Sequence, residues 1–174
     1  DDLDLGAFVM TLPVQVPVIQ VVGVGLLGAE SLTPTALAKV ESATLLLGAR
    51  RHLAAFDYLC SRGSGPGRSV EAWPLGNFSE AFEALRSRLQ ANPQTQAVIL
   101  ASGDPLFFGI GRLLLAAFPP AQLAFYPQTS SIQLAFSALK LPWQDATLVS
   151  VHGRDEQALV KAVKRGDSKI AVLT

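Results

Sequence analysis

Short apolar runs recur along the chain, and residues that break regular structure separate them. The first run, Ile19–Val24, is rich in β-branched side chains and ends at Gly23-Val24-Gly25. That pattern is typical of a buried strand followed by a tight turn. Similar runs predict strands at Ile19–Val24, Thr44–Leu47, Val98–Ala101, Leu123–Tyr126, Leu148–Val151 and Ile170–Leu173.

Between the strands, apolar residues recur every three or four positions, which predicts helices with one buried face. The segment Phe78–Leu89 shows this spacing most clearly. Thr33 and Pro34 mark another helix start, because threonine caps a helix and proline at the first position gives up no hydrogen bond. The predicted helices are Pro34–Ser42, Arg50–Phe56, Phe78–Leu89, Gly109–Phe118, Ser130–Leu139 and Asp155–Lys164.

Strands that alternate with helices predict an α/β fold with parallel sheets, each covered on its faces by helices. The Pro119-Pro120 break is the predicted boundary between two domains, residues 19–120 and 121–174, which follow an N-terminal extension or tag remnant at residues 1–18. A stretch rich in Gly, Ser and Pro, residues 61–69, is predicted to be a flexible surface loop. No predicted helix follows the last strand, so we expect the second domain to be truncated and the chain to be a fragment.

Composition narrows the class of protein. Hydrophobic residues make up 49% of the 174 residues and charged residues 16%, which indicates a sizeable core. The formal net charge of zero gives no basic field that would recruit nucleic acid or an anionic membrane, and it favours association into an oligomer. A single cysteine, Cys60, excludes an internal disulfide. With one cysteine and two histidines in the sequence, we do not expect a structural zinc site. No uncharged apolar run reaches the roughly 18 residues of a membrane span. Since nothing in the cysteine count suggests an oxidising compartment, we expect a cytoplasmic protein.

The first glycine-rich turn matches a dinucleotide-binding pattern, Gly23-x-Gly25-x-x-Gly28. Arg50 and Arg51, after the next strand, have the charge that suits a 2′-phosphate, so an NADP-dependent Rossmann-type oxidoreductase is one hypothesis.

The helix start opposes that hypothesis. In a dinucleotide site the helix begins inside the glycine loop and faces the pyrophosphate, whereas here it begins at Pro34, six residues beyond Gly28. Glu30 in between would repel a phosphate. Two further interpretations stay open: glycines that only permit a tight turn, or a loop that lines a cleft without binding phosphate.

A second turn, Ser102-Gly103-Asp104-Pro105, follows the third predicted strand. Glycine allows a close approach to the main chain, and Pro105 restricts Asp104 to extended geometry. The turn lies at the carboxyl end of a strand, where open α/β sheets bind ligands. Asp104 is therefore either a ligand-binding carboxylate or the cap of the following helix.

Three segments together resemble the tetrapyrrole methyltransferases of cobalamin and siroheme synthesis: VVGVGLLGAESLTPTAL, LASGDPLFFGIG and YPQTSS. Two others, LLGARRHL and VSVHGR, narrow the resemblance to members that methylate the ring carbon C5 of precorrin-6Y or its cobalt counterpart. The resemblance runs in order from Ile19 to Thr174. It implies two α/β domains with S-adenosylmethionine in the cleft between them.

The resemblance also implies site residues. Asp104 matches a position that binds the cofactor, and it is the residue that we assign to catalysis. The positions matched to cofactor contact are Leu26, Ser102, Gly103, Asp104, Phe107, Ser130 and Ser131.

The chain departs from the family pattern at several positions. Leu26 and Leu27 replace a Pro-Gly pair in the first loop, and Gln128 replaces a glycine before the two serines. If that glycine required a positive φ, Gln128 would strain the turn. Some relatives carry an acid after the second strand, where this chain has Gly48-Ala49-Arg50, so we assign no general base there.

Methylation of a ring carbon by a sulfonium needs alignment and exclusion of water more than a covalent catalyst. The macrocycle carries carboxylates, for which arginine is the natural partner. Expected substrate contacts are Arg50, Arg51, His52, His152 and Arg154. The resemblance further suggests a homodimer and fusion to, or pairing with, a decarboxylating C15-methyltransferase. A fragment that only dimerises, without catalysis, is the remaining alternative.

Overall fold

The computed structural model describes residues 18–61, 70–152 and 155–174. Its strands are β1 (Ile19–Val24), β2 (Leu45–Gly48), β3 (Glu71–Pro74), β4 (Ala97–Ser102), β5 (Leu123–Tyr126), β6 (Thr147–Ser150) and β7 (Ile170–Leu173). Its α-helices are α1 (Pro34–Glu41), α2 (Arg50–Ala54), α3 (Asp57–Ser61), α4 (Phe78–Ala91), α5 (Gly111–Ala117), α6 (Ser131–Leu139) and α7 (Gln157–Arg165). The predicted N-terminal extension, up to residue 17, and the predicted loop, from residue 62 onward, lie outside the described residues.

Two elements were not predicted. The strand β3 has the sequence EAWP, which is neither a continuous apolar run nor a clean alternation, and it forms the edge of its sheet. An edge strand tolerates proline and polar residues because one side of it needs no hydrogen-bonded neighbour. The helix α3 has only five residues, too few to show a helical period.

The described residues form two parallel sheets, which confirms the predicted α/β class. The larger sheet has the order β3-β2-β4-β1-β5, and β6 pairs with β7 in a second sheet. β5 follows Pro120 and pairs with β1, with Leu123 opposite Ile19. The boundary predicted after Pro120 therefore cuts through the larger sheet, and the change from one sheet to the other falls between Tyr126 and Thr147.

Side chains of the larger sheet alternate between two buried faces. On one face Ile99 of β4 clusters with Leu114 of α5. On the other face Leu100 clusters with Val40 of α1 and Leu53 of α2. Burial of each such side chain contributes about 1.5–3 kcal/mol, so helix packing on both faces stabilises the sheet. α1 and α2 thus cover one face, and α4 and α5 cover the other.

The strand order and the connections predict a crevice at the carboxyl end of β4. β4 lies between β2 and β1 in the sheet. The chain leaves β1 and β2 toward α1 and α2, but it leaves β4 toward α5 on the opposite face. Loops that part in this way open a ligand-binding crevice in parallel sheets. None of the described helices combines the length and apolar character that crossing a membrane requires.

Candidate functional site

Three loops meet at the carboxyl edge of the larger sheet. The Gly103 amide, after β4, donates to the carbonyl of Val24 at the end of β1 over 3.0 Å. The Gly103 carbonyl accepts from the amide of Gln128, after β5, over 3.1 Å. A methyl group at Gly23 would lie 1.8 Å from the Gly103 carbonyl oxygen, so the backbones are in direct contact. The loops after β1, β4 and β5 therefore form one continuous wall.

The turn after β4 has the geometry that its sequence predicts. Gly103 has a φ of 55°, the left-handed region that favours glycine. The Asp104 carboxylate accepts from the Leu106 amide over 2.8 Å through Oδ1. Its Oδ2 has no hydrogen-bond partner in the described part of the chain. The interpretation of Asp104 as the cap of the next helix is wrong, because α5 begins at Gly111 and Ile110 occupies its N-cap position.

The first glycine loop is closed by Ser31. The Gly25 amide donates to Ser31 Oγ over 2.8 Å, and the Ser31 hydroxyl donates to the Gly28 carbonyl over 2.6 Å. Leu26 projects into solvent with 86% of its surface exposed. The following α-helix, α1, begins at Pro34, as the sequence predicts, so its N-terminus is not part of the glycine loop. This geometry differs from that of a dinucleotide site and leaves Leu26 exposed beside the crevice.

Gln128 links the loops after β1 and β5, a role that the sequence does not reveal. Its side-chain amide donates to the Ser31 carbonyl, and its Oε1 accepts from the Thr129 amide over 3.1 Å. Among the described residues other than glycine, positive φ angles occur at Phe108 and Lys140 and not at Gln128. The expected strain at Gln128 is therefore absent, because its backbone stays in an ordinary region.

The two serines after this loop begin α6. Ser130 is buried, and its Oγ accepts from the Gln133 amide over 3.3 Å while its own amide donates to the Gln133 side chain over 2.8 Å. This reciprocal pair is a capping box. Ser131 is exposed at the first position of the helix. The hydroxyl of Ser130 is thus engaged within the protein, although its main chain borders Gly103, whose added Cβ would lie 3.0 Å from Ser130 Cα.

Arg51, His52 and Ser102 form a hydrogen-bonded cluster at the crevice. Arg51 Nη2 donates to Ser102 Oγ over 2.9 Å, and Ser102 Oγ lies 3.1 Å from His52 Nε2. Burial and the adjacent Arg51 cation lower the pKa of His52 below its ordinary value of 6.5, with the Leu100 backbone acting in the opposite direction. The ring is therefore neutral at pH 7. Sequence reasoning selected all three residues but did not bring them together.

The other predicted substrate contacts are more scattered. Arg50 is exposed at the start of α2, and His152 is exposed two residues after β6 ends. Arg154 lies outside the described residues. No described contact joins Arg50 or His152 to the Arg51 cluster.

A cavity of about 350 Å³ lies beside the Gly-Asp-Pro turn. Phe107 and Phe108 stack edge to face on its wall, 4.8 Å between ring centroids. Phe108 has a φ of 53°, an unusual conformation for a bulky residue and one that clusters at functional sites. Leu148 of β6 lines the same cavity, which therefore lies between the two sheets. The other lining residues are Leu106, Gly109 and Arg112.

Arg112 is a candidate site residue that the sequence pattern did not indicate. It lies in the apolar segment GIGRLLL, where its charge is the available signal. It is exposed and lines the cavity. A single cation on an otherwise apolar wall is the arrangement that orients an anionic group of a bound ligand.

Comparison with known proteins identifies the family. A family model described as tetrapyrrole (corrin/porphyrin) methylases matches residues 18–174. The chain therefore belongs to that family, which confirms the resemblance drawn from its motifs.

Within the family, the chain is similar to enzymes of corrin synthesis. It is 37% identical over 134 residues to the cobalt-precorrin-7 C(5)-methyltransferase of Salmonella typhimurium, covering 77% of this chain and 61% of the relative. It is 36% identical over 138 residues to a Sinorhizobium precorrin-6Y C(5,15)-methyltransferase [decarboxylating], covering 79% of this chain and 31% of that protein. The chain thus spans about three fifths of the length of the first relative.

Solved structures share the fold. The precorrin-6Y methylase of Archaeoglobus fulgidus gives a TM-score of 0.58 at 23% identity, covering 81% of this chain and 68% of that one. A uroporphyrin-III C-methyl transferase of Thermus thermophilus, solved with S-adenosyl homocysteine, gives 0.52 at 24% identity, with 79% and 57% covered.

Proposed function

We propose that the protein is an S-adenosylmethionine-dependent methyltransferase that methylates a ring carbon, C5, of a precorrin in cobalamin biosynthesis. The observation that carries this proposal is the wall formed by the loops after β1, β4 and β5 at the crevice of the sheet. Membership of the tetrapyrrole methylases and the names of the similar corrin methyltransferases support it. The position of α1 counts against the NADP-dependent oxidoreductase.

The residues of the wall suit the proposed cofactor. Gly103 allows main-chain atoms to approach a ligand, and the unengaged Oδ2 of Asp104 can accept hydrogen bonds from hydroxyl or ammonium groups. Phe107 adds an apolar surface next to them. When bound, S-adenosylmethionine supplies a methyl group on a cationic sulfur. The Thermus uroporphyrin-III C-methyl transferase was solved with S-adenosyl homocysteine, which is S-adenosylmethionine without its transferable methyl group.

Each predicted cofactor position other than Ser102 takes a role within this proposal. Gly103, Asp104 and Phe107 bind the cofactor directly, and Asp104 orients it for catalysis. Ser130 and Ser131 act through their main chain at the start of α6, since the Ser130 side chain caps the helix. Leu26 covers the ligand from the first loop. The chain thereby holds the methyl donor and the macrocycle in line and excludes water.

The substrate brings carboxylates that need cationic partners. Of the proposed contacts, Arg51 stands at the crevice with the neutral His52 ring beside it, and Arg50, His152 and Arg154 complete the set. The apolar cavity beside Phe107 and Phe108 is suited to part of the macrocycle. Its low polarity also favours methyl transfer, because the charge of the sulfonium is dispersed in the transition state.

We also propose the organisation of the molecule. Two α/β domains flank the cofactor cleft, the protein is a cytoplasmic homodimer, and a decarboxylating C15-methyltransferase is fused to it or paired with it. The double name of the Sinorhizobium relative, of which this chain covers 31%, supports the last point. Light scattering coupled to size exclusion tests the dimer, and a monomeric mass at working concentration would contradict it.

Isothermal titration calorimetry with S-adenosyl homocysteine tests the proposed function. We expect one ligand per chain and no heat from NADPH. Asp104→Asn should weaken binding about tenfold, because a neutral amide accepts less strongly than a carboxylate. Glu83→Gln, an exposed acid on α4, is the matched control and should bind as the wild type does. Binding of NADPH, or of neither ligand by a stable dimer, would instead favour the oxidoreductase or the non-catalytic alternative.

A further inference from the structure

Arg51 is held by two acceptors from different parts of the fold. Its Nη2 donates to Ser102 Oγ at the end of β4, and its Nε donates to His52 Nε2 on α2 over 3.4 Å. Ser102 and His52 also contact each other over 3.1 Å. The three side chains form a closed triangle, so the position of the guanidinium is fixed from two directions.

The chemistry of the donors assigns the protons in this triangle. Arginine only donates, so Ser102 Oγ and His52 Nε2 both accept from it. The proton of the neutral imidazole is then on Nδ1, and the single lone pair of Nε2 is shared between the Ser102 hydroxyl and the Arg51 Nε–H. The neutral state of His52 is required here, because an imidazolium would give Nε2 a proton and repel Arg51.

One edge of the guanidinium remains for a ligand. The Nε and Nη2 edge is taken by His52 and Ser102, whereas Nη1 has no partner in the described part of the chain. The Nη1 and Nη2 pair forms a second planar fork that matches a carboxylate in two parallel hydrogen bonds. Arg51 is also exposed, which leaves this edge accessible from the crevice.

We propose that Arg51 is the preorganised carboxylate anchor of the substrate, and that Ser102 and His52 are positioning residues that hold it in place. This inference rests on the proposed function, since it takes the ligand to be a macrocycle with carboxylate arms. It moves the Ser102 side chain from the cofactor to the substrate side of the site. His52 acts through Arg51 and does not itself bind the substrate.

Preorganisation of its side chain distinguishes Arg51 from the adjacent Arg50. Arg50 is exposed with no described contact, so it must lose side-chain freedom when it binds a ligand. Arg51 has already lost that freedom in the folded protein. Its fork is therefore the stronger recognition element for a planar anion, although the two arginines are adjacent in the sequence.

Binding of a stable corrin with free carboxylates tests the proposal on the whole chain. The probe is cobyrinic acid, followed by its absorbance, with its heptamethyl ester as the carboxylate-blocked control. Arg51→Lys should weaken cobyrinic acid binding about tenfold or more, because lysine cannot form the fork. The ester should bind the wild type and Arg51→Lys equally. Arg88→Lys on α4, far from the crevice, is the matched charge-conserving control.

Variants of Ser102 test the positioning role. Ser102→Ala should weaken cobyrinic acid binding several-fold and leave the affinity for S-adenosyl homocysteine within twofold, and Ser102→Thr should restore binding because it keeps the hydroxyl. The opposite split, with S-adenosyl homocysteine weakened and cobyrinic acid unchanged, would overturn the assignment. So would equal binding of cobyrinic acid by Arg51→Lys and the wild type. Failure of the wild type to bind S-adenosyl homocysteine would contradict the proposed function instead.

Discussion

Gly23 lies where the backbones of three loops touch. The site tolerates no side chain, because a Cβ would meet the Gly103 carbonyl oxygen at 1.8 Å and the Gln128 amide nitrogen at 2.8 Å. Both obstacles are backbone atoms, which cannot rotate away. We expect Gly23→Ala to destabilise the fold by about 3 kcal/mol or more and to weaken ligand binding with it. Urea denaturation measures the first effect, and calorimetry measures the second.

Gly76 provides the matched control for that substitution. No atom lies within 4 Å of a Cβ built there, and its φ is not positive. Gly76→Ala should therefore be neutral or stabilise by up to about 1 kcal/mol through the unfolded chain. An equal loss of stability in the two variants would show that close packing at Gly23 is not the cause.

His52 gives the protein an acid sensitivity at the crevice. Burial and the Arg51 cation lower its folded pKa below 6.5, so the unfolded chain takes up a proton more readily than the folded one. The contribution to stability is complete above pH 6.5 and is lost as the pH falls from 6.5 through the folded pKa. We expect His52→Gln to flatten this part of the stability profile in urea denaturation. If His52→Gln and the wild type lost stability equally below pH 6.5, the conclusion that the folded protein holds His52 neutral would be contradicted.

At the scale of elements, α6 depends on its cap. Ser130 and Gln133 satisfy each other's amides, which would otherwise be unpaired at the helix start. Ser130→Ala should cost about 1 kcal/mol of folding free energy, measured by the urea midpoint at unchanged slope. Its effect on S-adenosyl homocysteine affinity should be less than twofold. A large loss of affinity would mean that the hydroxyl contacts the cofactor.

Asp167 links the start of β6 in the second sheet to the end of α7. Its carboxylate accepts from Thr147 Oγ1 at the start of β6 over 2.6 Å and from Arg165 Nε at the end of α7 over 2.9 Å. These bonds lower the pKa of Asp167 to about 2, and the bond from Arg165 has the largest effect. The stability they contribute is present above pH 3.8 and is lost as the pH falls toward 2. Asp167→Asn should lower the stability of this sheet at pH 7 and remove that acid dependence, as hydrogen exchange of β6 and β7 would measure.

Elements were predictable where burial imposes a pattern. Both faces of a central parallel strand are covered, so such a strand is largely apolar. The run Ile19–Val24, which has Gln20 as its polar residue, was placed correctly. β3 was not predicted, because an edge strand does not need to be apolar along its whole length. In the site, the Gly-Asp-Pro turn was found by its position after a strand. The contact between Arg51 and Ser102 was not, because it joins residues 51 positions apart through side-chain conformations that no local pattern encodes.

At the scale of the whole molecule, the two sheets differ in support. The larger sheet has five strands with helices on both faces, whereas β6 and β7 form a two-stranded sheet whose principal contacts are with each other and α7. A two-stranded sheet is marginally stable by itself. The cavity between Phe107 and Leu148 is where the sheets face each other, so a ligand there would contact both.

Hydrogen exchange can show whether a ligand couples the sheets. Without ligand, we expect the Val151 amide, bonded to the Leu173 carbonyl over 2.8 Å, to exchange much faster than the core amides of β4. S-adenosyl homocysteine at 100 times its Kd adds about 2.7 kcal/mol to any opening that releases it, which is about a hundredfold slowing. If the ligand binds between the sheets, both Val151 and Gly103 amides should slow. Slowing at Gly103 alone would place the ligand on the larger sheet only and leave β6 outside the site.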